Sequence, residues 1–339
     1  MKKIISLTLA LMLLLGILAV PAMAEEEQTA KGGVLSYLAM TEEEDQSFKD
    51  YIKRPFRQLL LLRGVLEKDE SKPVYGLTKQ YDSLNALLMA LQSGEVDDIA
   101  LPYYTAKYLS STNDNMKIKT KYYPEKATGI AEWVLARLSD GYSFMLKEDN
   151  TELRDAFNAQ IKAMKEDGTL QKLVDEHIIK VSEGGEPVPV AFEKFEGDPI
   201  KVGVSGDLPP MDYVAPDGSF AGFNTAVLAE IGKRLQKNIE LVQVENVGRA
   251  LALSEGIVDV VFWTRANSEA LNEQRAAGKK LNDFIAKDQP LTDEEKAIFG
   301  AAGEPTDDLF AKLKDRDMPA GTIITRPYFS DFPVLVTLK

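Results

Sequence analysis

The sequence contains no cysteine and only one histidine among its 339 residues. Without cysteine, the chain forms no disulfide, has no thiol nucleophile and lacks the cysteine that a lipid anchor requires at a cleavage site. The one histidine, His177, lies at the end of a predicted helix and is interpreted as a surface or packing residue. Zinc sites and Ser-His triads are therefore excluded. Carboxylates are plentiful, but no pair has a distinctive spacing, so the sequence predicts no enzyme, catalytic residue, metal site or cofactor.

An excess of positive charge is also missing, since the formal net charge is -13 at pH 7. Binding to nucleic acid requires a basic surface, so nucleic acid is excluded as a partner. The segment Gly203-Val-Ser-Gly206 is too short for a phosphate-binding loop and lacks the glycine pattern of one. The global charge does not identify a ligand, because a local pocket can have the opposite sign.

One long apolar run begins at Ile4 and ends at Val20. Two lysines precede it, and Ala22-Met-Ala24 follows with the small-x-small pattern of a cleavage site. We interpret residues 1–24 as a signal peptide, which predicts a periplasmic or secreted protein with no stable membrane insertion after cleavage. The alternative is a membrane anchor, but a run of about seventeen residues is at the lower limit for a spanning helix.

The most informative stretch lies near residues 199–265. Alternating apolar residues predict strands at 200–204 and 239–244, and apolar residues at helical spacing predict a helix at 223–235. A short helix at 249–254 and a buried strand at 258–263 follow. This β-loop-α-β-α-β order is typical of a parallel sheet covered by helices, and it places the chain in the α/β class.

Six short motifs accompany these elements over about sixty residues, and their order is more specific than any one of them. They are Val202-Gly-Val204, Leu208-Pro-Pro-Met-Asp-Tyr213, Asp217-Gly218, Gly222-Phe223, Leu241-Val242 and Gly256-Ile-Val-Asp259. The set resembles the first lobe of type II periplasmic solute-binding proteins, in the extracellular solute-binding family 3 that often binds amino acids. The resemblance implies a fold with two lobes, each a mostly parallel sheet flanked by helices.

An earlier part of the chain resembles the second lobe of the same family. The segment from Ala90 to Asp97 parallels the segment from Ala252 to Asp259, since both read as helix, Gly and then a strand opening with Val-Asp. Chance is the alternative, because helix-Gly-strand is common in α/β proteins. Residues 150–178 resemble the paired helices that close the family's fold, with a typical ending in Asp167-Gly-Thr-Leu170.

The order of these parts predicts a circularly permuted chain. The proposed division is a second-lobe-like domain at 34–148, closing helices on the first lobe at 149–182, a linker at 183–198 and a first-lobe-like domain at 199–339. The new ends are expected at the hinge between the lobes. Two truncated tandem modules are the alternative, although each would expose a large apolar face. The polar segment 266–321 is an insertion, interpreted as a lid, a partner-binding arm or surface decoration.

Ligand pockets of open α/β sheets lie beyond the carboxyl ends of the strands, and this rule selects the candidate binding residues. Arg265 can hold a carboxylate through paired hydrogen bonds, and Trp263 or Tyr213 can cover an apolar or cationic group. A solvent ion pair for Arg265 and core packing for Trp263 are the alternatives. The candidates are Asp207, Met211, Tyr213, Trp263, Thr264 and Arg265 in the first lobe and Asp82, Ser83 and Tyr103 in the second, with Tyr104, Tyr328 and Ser330 beside them.

The resemblance implies closure of the two lobes about a hinge, around a small ligand such as an amino acid or related polar solute. It also implies delivery to the permease of an ABC-type transporter. Two positions depart from the amino-acid pattern: Thr264-Arg265 comes too early for the family's Thr-x-x-Arg, and Pro102 replaces an acidic residue. The alternatives are a sensory or scaffold module of the cell envelope and an enzyme on the same fold, such as a dehydratase or peptidoglycan lyase.

Overall fold

The structure, a computed structural model, describes residues 5–6, 31–35, 39–40, 77–119, 139–215, 217–266 and 318–339. Apart from Ile5–Ser6, the predicted signal peptide lies outside these residues, as does the insertion 266–321 apart from its ends. Within the described part of the chain, no helix is both long and apolar enough to cross a membrane.

The strands and helices follow the periodicities of the sequence. The strands are β1 Ile5–Ser6, β2 Lys31–Leu35, β3 Ala39–Met40, β4 Leu77–Tyr81, β5 Asp98–Pro102, β6 Met116–Ile118, β7 Asp140–Lys147, β8 Ile200–Val204, β9 Asp207–Leu208, β10 Asp212–Val214, β11 Phe220–Ala221, β12 Ile239–Gln243, β13 Val260–Ala266, β14 Thr322–Ile324, β15 Phe329–Asp331 and β16 Pro333–Leu338. The helices are α1 Leu84–Gln92, α2 Tyr103–Thr112, α3 Thr151–Glu166, α4 Thr169–Val174, a π-helical turn Asp175–Ile179, α5 Lys180–Ser182, α6 Phe223–Leu235, a 3₁₀ turn Asn246–Gly248 and α7 Arg249–Ser254.

Two mixed sheets define two lobes. The first lobe contains the strand order β12-β8-β13-β7-β14, with β15 also paired to β7, and the second lobe contains β4-β2-β5-β16-β6. In both sheets the first three strands of this order are parallel, and the fourth is antiparallel to the third. Two smaller sheets pair β1 with β3 and join β9, β10 and β11. The expected α/β fold with two lobes is therefore observed.

Strands β7 and β16, which we call the crossing strands, connect the lobes. β7 follows second-lobe elements in the chain but pairs with β13 of the first lobe from Asp140 to Leu146. β16 follows first-lobe elements but lies between β5 and β6 of the second lobe. Each sheet is thus completed by a strand from the other part of the chain. The boundary predicted at residue 148 groups β7 with the second-lobe domain, whereas β7 lies in the sheet of the first lobe. Sequence pattern alone does not reveal which sheet a buried strand joins.

The repeated helix-Gly-strand segments have the same geometry in both lobes. Asp97 Oδ2 accepts a hydrogen bond from the backbone N–H of Lys31 at 2.7 Å, and Asp259 Oδ2 accepts one from that of Lys201 at 2.9 Å. In both segments the glycine that ends the helix has a φ of 72°, a left-handed conformation that glycine adopts without strain. The two segments are therefore structurally equivalent.

The main core surrounds Phe144 of β7, whose side chain is completely buried. Its ring centroid lies 4.7 Å from that of Tyr328 and 5.2 Å from that of Phe157. Phe157, Ile161 and Met164 recur at helical spacing in α3 and are all buried, so this helix packs on the first lobe through one apolar face. The crossing strand and the closing helix thus share one core.

The segment 183–198 is an extended connection attached to the first lobe. Asn238, just before β12, accepts a hydrogen bond from the backbone N–H of Phe195 at 2.8 Å. Its side-chain amide donates to the carbonyl oxygens of Phe195 and Gly197 at 2.7 and 2.9 Å. One polar side chain therefore satisfies three backbone groups and fixes the linker beside β12.

Candidate functional site

The two lobes approach each other near strand β9. This strand, Asp207–Leu208, contacts helix α1 of the second lobe. Tyr213 lies opposite Asp207 in the pairing of β9 with β10, and its electrostatic environment includes Tyr108 of α2 in the second lobe. We call the region where Asp207 and Tyr213 of the first lobe approach Tyr108 and α1 of the second lobe the cleft. Residues from both parts of the chain therefore border it.

A buried carboxylate fixes the loop that carries Asp207. Oδ2 of Asp212 accepts hydrogen bonds from the backbone N–H and the hydroxyl of Ser205 at 3.0 and 3.2 Å, and from the backbone N–H of Gly206 at 3.3 Å. Burial raises the pKa of Asp212 to about 6, although these hydrogen bonds oppose the shift. Three hydrogen bonds to one oxygen hold the loop in a defined position before any ligand arrives.

Asp207 has capacity for a further partner. Both of its carboxylate oxygens lie 3.3 Å from the side-chain nitrogen of Asn246, in the turn after β12, and the side chain is half-buried. A carboxylate has about four acceptor positions, and a single amide nitrogen at this distance occupies few of them. The group is therefore suited to accept hydrogen bonds from a cation or an amine in the cleft.

Two tyrosines add hydroxyl groups and aromatic surface. Burial, and after it the neighbouring Tyr108, raise the pKa of Tyr213 to about 12. The hydroxyl of Tyr213 therefore stays protonated at physiological pH and can donate a hydrogen bond. Both tyrosines are half-buried, which leaves part of each ring accessible. An apolar or cationic group can pack on such a ring surface.

Trp263 combines packing with an unused donor. The guanidinium of Arg249 lies over its ring, with 5.6 Å between the ring centroid and Cζ, and the side chain packs against the apolar cluster that includes Val261 and Leu253. Among the described residues, no partner accepts a hydrogen bond from the buried Nε1. Arg249 donates to the carbonyl oxygen of Phe262 at 2.8 Å and so fixes the guanidinium against the strand. Core packing therefore accounts for much of the Trp263 side chain.

Several other candidates have structural roles. Met211 and Tyr103 are 0% and 1% exposed, and the ring of Tyr103 stacks on Phe332 at 5.4 Å. Ser83 accepts a hydrogen bond from the backbone N–H of Ala86 at 3.2 Å and caps α1. Core packing accounts for the side chains of Met211 and Tyr103, and the hydroxyl of Ser83 has a capping role at the start of α1.

The remaining candidates lie at several different places in the fold. Asp82 is exposed before α1, and Thr264 is half-buried near the crossing strands. The side chain of Arg265 lies outside the described atoms. The companions Tyr104 and Tyr328 are buried, whereas Ser330 is exposed. The Tyr328 hydroxyl donates to Oδ1 of Asn224 at 2.8 Å, so it supports the first lobe from within.

Sequence reasoning did not select Tyr108, Asn246, Asp212 or Arg249. Asn246 follows the carboxyl end of β12, so the strand-end rule could have identified it. Tyr108 lies in the middle of α2, and its position across the cleft depends on the arrangement of the lobes. Asp212 and Arg249 are buried, and no sequence period marks a buried charged residue in a short strand or a short helix.

His177 lies in a different part of the first lobe. It is 5% exposed, and burial lowers the pKa of its imidazole. It borders an open groove of about 210 Å³ together with Leu173, Val190 and Ala226, and no cleft residue borders this groove. Within the described ranges, no group of three or more potential ligands is placed to hold a metal ion.

A family profile and several solved structures match the chain. The profile of "Bacterial extracellular solute-binding proteins, family 3" matches residues 61–180 and 200–279. Among curated proteins, no significant match was found.

Three solved structures illustrate the structural matches. A ligand-binding component of an ABC-type import system from Staphylococcus aureus is 12% identical, with a TM-score of 0.37, and the match covers 92% of this chain and 66% of that protein. The periplasmic VFT2 domain of Bordetella pertussis BvgS is 13% identical, with a TM-score of 0.32 and coverage of 94% and 87%. An ancestral arginine-binding protein bound to glutamine is 12% identical, with a TM-score of 0.35 and coverage of 93% and 85%.

Proposed function

The chain belongs to the bacterial extracellular solute-binding proteins of family 3, and on this premise we propose that it traps a small solute between its two lobes. The observation that supports this proposal best is the approach of β9 to α1, together with that of Tyr213 to Tyr108. Chemical groups from both lobes border one cleft there. A ligand that bridges them would favour the closed arrangement, because binding shifts the population toward the state that it contacts most.

The proposed ligand is a small polar solute with a positively charged group, such as an amino acid or a related amine. Asp207 supplies the negative charge, and Tyr213 and Tyr108 supply aromatic surface for a cation. Arg265 remains the sequence-based candidate for holding a carboxylate. Trp263 and Thr264, which lie beside it in β13, would border that end of the ligand.

Delivery of the ligand to the permease of an ABC-type transporter is part of this proposal. The family is one of extracellular proteins, and the predicted signal peptide at 1–24 agrees with export to the periplasm or the medium. Closure around a solute would give the permease a ligand-loaded shape to recognise. Binding without catalysis is proposed because no catalytic set emerges from the sequence.

A thermal-shift screen with amino acids, small peptides and carboxylates tests the binding function. A solute at a hundred times its dissociation constant stabilises the protein by about 2.7 kcal/mol, which corresponds to a rise in melting temperature of roughly 5 °C. We expect the largest rise with a cationic solute. Asp207→Asn should reduce this rise, because the substitution removes the negative charge but preserves the shape of the side chain.

Asp217→Asn is the matched control, since Asp217 is an exposed aspartate that bonds to Ser219 within its own turn. This variant should show the full rise in melting temperature. Equal responses of both variants would contradict the proposed role of Asp207. No rise with any solute would contradict the trap and favour a scaffold role in the cell envelope.

We also propose that the chain is a circular permutation of the family's usual order. The equivalent Asp97 and Asp259 motifs and the exchange of crossing strands support one intact module rather than two truncated ones. Asp97 also contacts both β2 and β16. Its side chain accepts a hydrogen bond from the backbone N–H of Lys31, and its carbonyl oxygen accepts one from the hydroxyl of Thr337 at 3.1 Å. Because β16 pairs with β5 and β6 of the second lobe, Lys31 and Thr337 lie close to each other beside Asp97, which supports a join between these segments.

A re-ordered chain tests the permutation. Residues 199–339 would be placed first and joined through a short Gly/Ser linker to residues 31–182, which leaves out the segment 183–198. We expect this chain to fold with a melting temperature within a few degrees of the original, because every pairing within the two main sheets is preserved. As a control, the join would be moved into the middle of β7, which should abolish folding. Failure of the first chain to fold would contradict the permutation.

A further inference from the structure

The groove beside His177 lies on the first lobe, away from the cleft. Helix α6 contributes Ala226 and Ala229 to its lining, the π-helical turn contributes His177, and the linker contributes Val190. The volume of about 210 Å³ is that of roughly seven water molecules. Sites for drug-sized ligands have volumes of about 300–1,000 Å³. The groove is therefore large enough for a molecule of a few non-hydrogen atoms.

The imidazole of His177 has no hydrogen-bonding partner among the residues that the structure describes. Its side chain is nevertheless almost completely buried, with 5% of the residue exposed. Buried polar groups in folded proteins nearly always form a hydrogen bond, because an unpaired one loses its hydration without compensation. Since His177 borders the groove, the groove is the place from which a partner can reach the imidazole.

His177 is also the central residue of the π-helical turn Asp175–Ile179. Such turns are rare and occur frequently at functional sites. This one connects α4, which packs on α6 of the first lobe, to α5, which contacts α2 of the second lobe. An unusual backbone conformation and an unpaired buried side chain thus coincide beside the same groove.

The charged residues of the groove already have partners. Lys233 forms an ion pair with Glu193 at 3.6 Å, and Glu230 accepts a hydrogen bond from the guanidinium of Arg234 at 2.7 Å. Burial lowers the pKa of His177, so its imidazole is neutral at physiological pH. A charged ligand would therefore find no free opposite charge among the described residues of the groove, whereas a neutral polar ligand would find an unused hydrogen-bonding group.

We propose that this groove is a second ligand site, where His177 binds the amide or hydroxyl group of a small neutral molecule. A neutral imidazole has one donor and one acceptor nitrogen, and an amide or an alcohol can pair with either. The apolar part of the molecule would pack on Leu173, Val190 and Ala229. This site goes beyond the ligand trap and does not depend on it.

The single histidine of the chain makes this site directly observable. Isotope labelling of histidine in the tag-free protein gives one imidazole signal by nuclear magnetic resonance, and that signal reports on His177. Isobutyramide and isobutanol are the probes, at pH 7.5. We expect a saturable change in chemical shift with at least one of them, with a dissociation constant on the order of 1–10 mM for so small a ligand. Isobutyrate and isobutylammonium have the same branched carbon skeleton with a charge, and they should produce no saturable change.

Three variants test the position of the site. Ala229→Phe fills the groove and should abolish the response of the His177 signal. Ala159→Phe places the same side chain at an exposed position of α3 and should keep the wild-type response. Asp207→Asn should also keep it, because no cleft residue borders the groove.

A thermal-shift measurement provides a second test that does not require Ala229→Phe to fold. His177→Phe keeps a ring at the site but removes both nitrogens, so the rise in melting temperature that isobutyramide or isobutanol causes in the wild type should be lost. The proposal would be overturned if the His177 signal responded to neither neutral probe, or equally to the charged ones. An undiminished response in folded Ala229→Phe, or an unchanged thermal shift in His177→Phe, would also overturn it.

Discussion

Replacing Phe144 by alanine is expected to lower the free energy of unfolding by about 3–5 kcal/mol. The ring is completely buried and contacts Phe157, Phe262 and Tyr328, with centroid distances of 5.2, 5.6 and 4.7 Å. These neighbours belong to a closing helix, to β13 and to the segment before β15, so the cavity would open where three parts of the chain meet. Urea unfolding followed by circular dichroism measures the loss.

Leu251→Ala is the matched control, because its side chain is 63% exposed in α7. This substitution should change the unfolding free energy by no more than about 0.5 kcal/mol. If Phe144→Ala were as mild as the control, β7 could not be a core strand of the first-lobe sheet. The result therefore tests whether the crossing strand is part of one shared core.

The second large effect is expected at Gly222, before helix α6. Its φ is 105°, and an added Cβ would lie 2.6 Å from the carbonyl oxygen of Met211 and 2.9 Å from that of Pro210. Both oxygens are fixed, since they accept hydrogen bonds from the backbone N–H groups of Asn224 and Phe223 at 2.8 and 3.0 Å. Gly222→Ala must therefore displace the loop that carries Asp207, with a loss of roughly 3 kcal/mol or more from strain and broken hydrogen bonds.

Gly222→Ala should also abolish ligand binding, because the loop that carries Asp207 is displaced. The thermal-shift assay would then show no rise in melting temperature when the solute is added. Gly218→Ala is the control, because Gly218 has a φ of 84° but no heavy atom within 4 Å of an added Cβ. Gly218→Ala should lower the free energy of unfolding by only about 1–2 kcal/mol, because a residue with a Cβ is less stable in the left-handed conformation, and it should leave ligand binding unchanged. Equal effects of the two substitutions would show that the close approach to Met211 is unimportant.

Local patterns in the sequence were sufficient for much of the fold. The spacing of Phe157, Ile161 and Met164 identified the buried face of α3, because a helix that packs on one side must repeat its apolar residues with the helical period. The shared Gly-x-Val-Asp pattern identified two equivalent helix-to-strand junctions, which hydrogen-bond in the same way. The same reading selected Asp207 and Tyr213 at the carboxyl end of β8.

The candidate site was less predictable, because strand-end rules select positions but not side-chain directions. Met211 and Tyr103 follow strands as a ligand-binding residue would, yet both are in the core. The first is enclosed beneath its own loop, and the second stacks on Phe332 from the other end of the chain. Tyr108 was not selected because it borders the cleft only through the approach of the two lobes.

What the sequence determined by itself was the identity of the segments that form strands and helices and the face that each one buries, since periodicity depends only on near neighbours. The tertiary structure alone decided that β7 and β16 exchange lobes and that Asp331 meets both Asp140 and Tyr104, a residue 227 positions away. The reason is physical: an apolar or acidic residue restricts what may surround it, but many distant partners satisfy that restriction. Only the packed chain selects one of them.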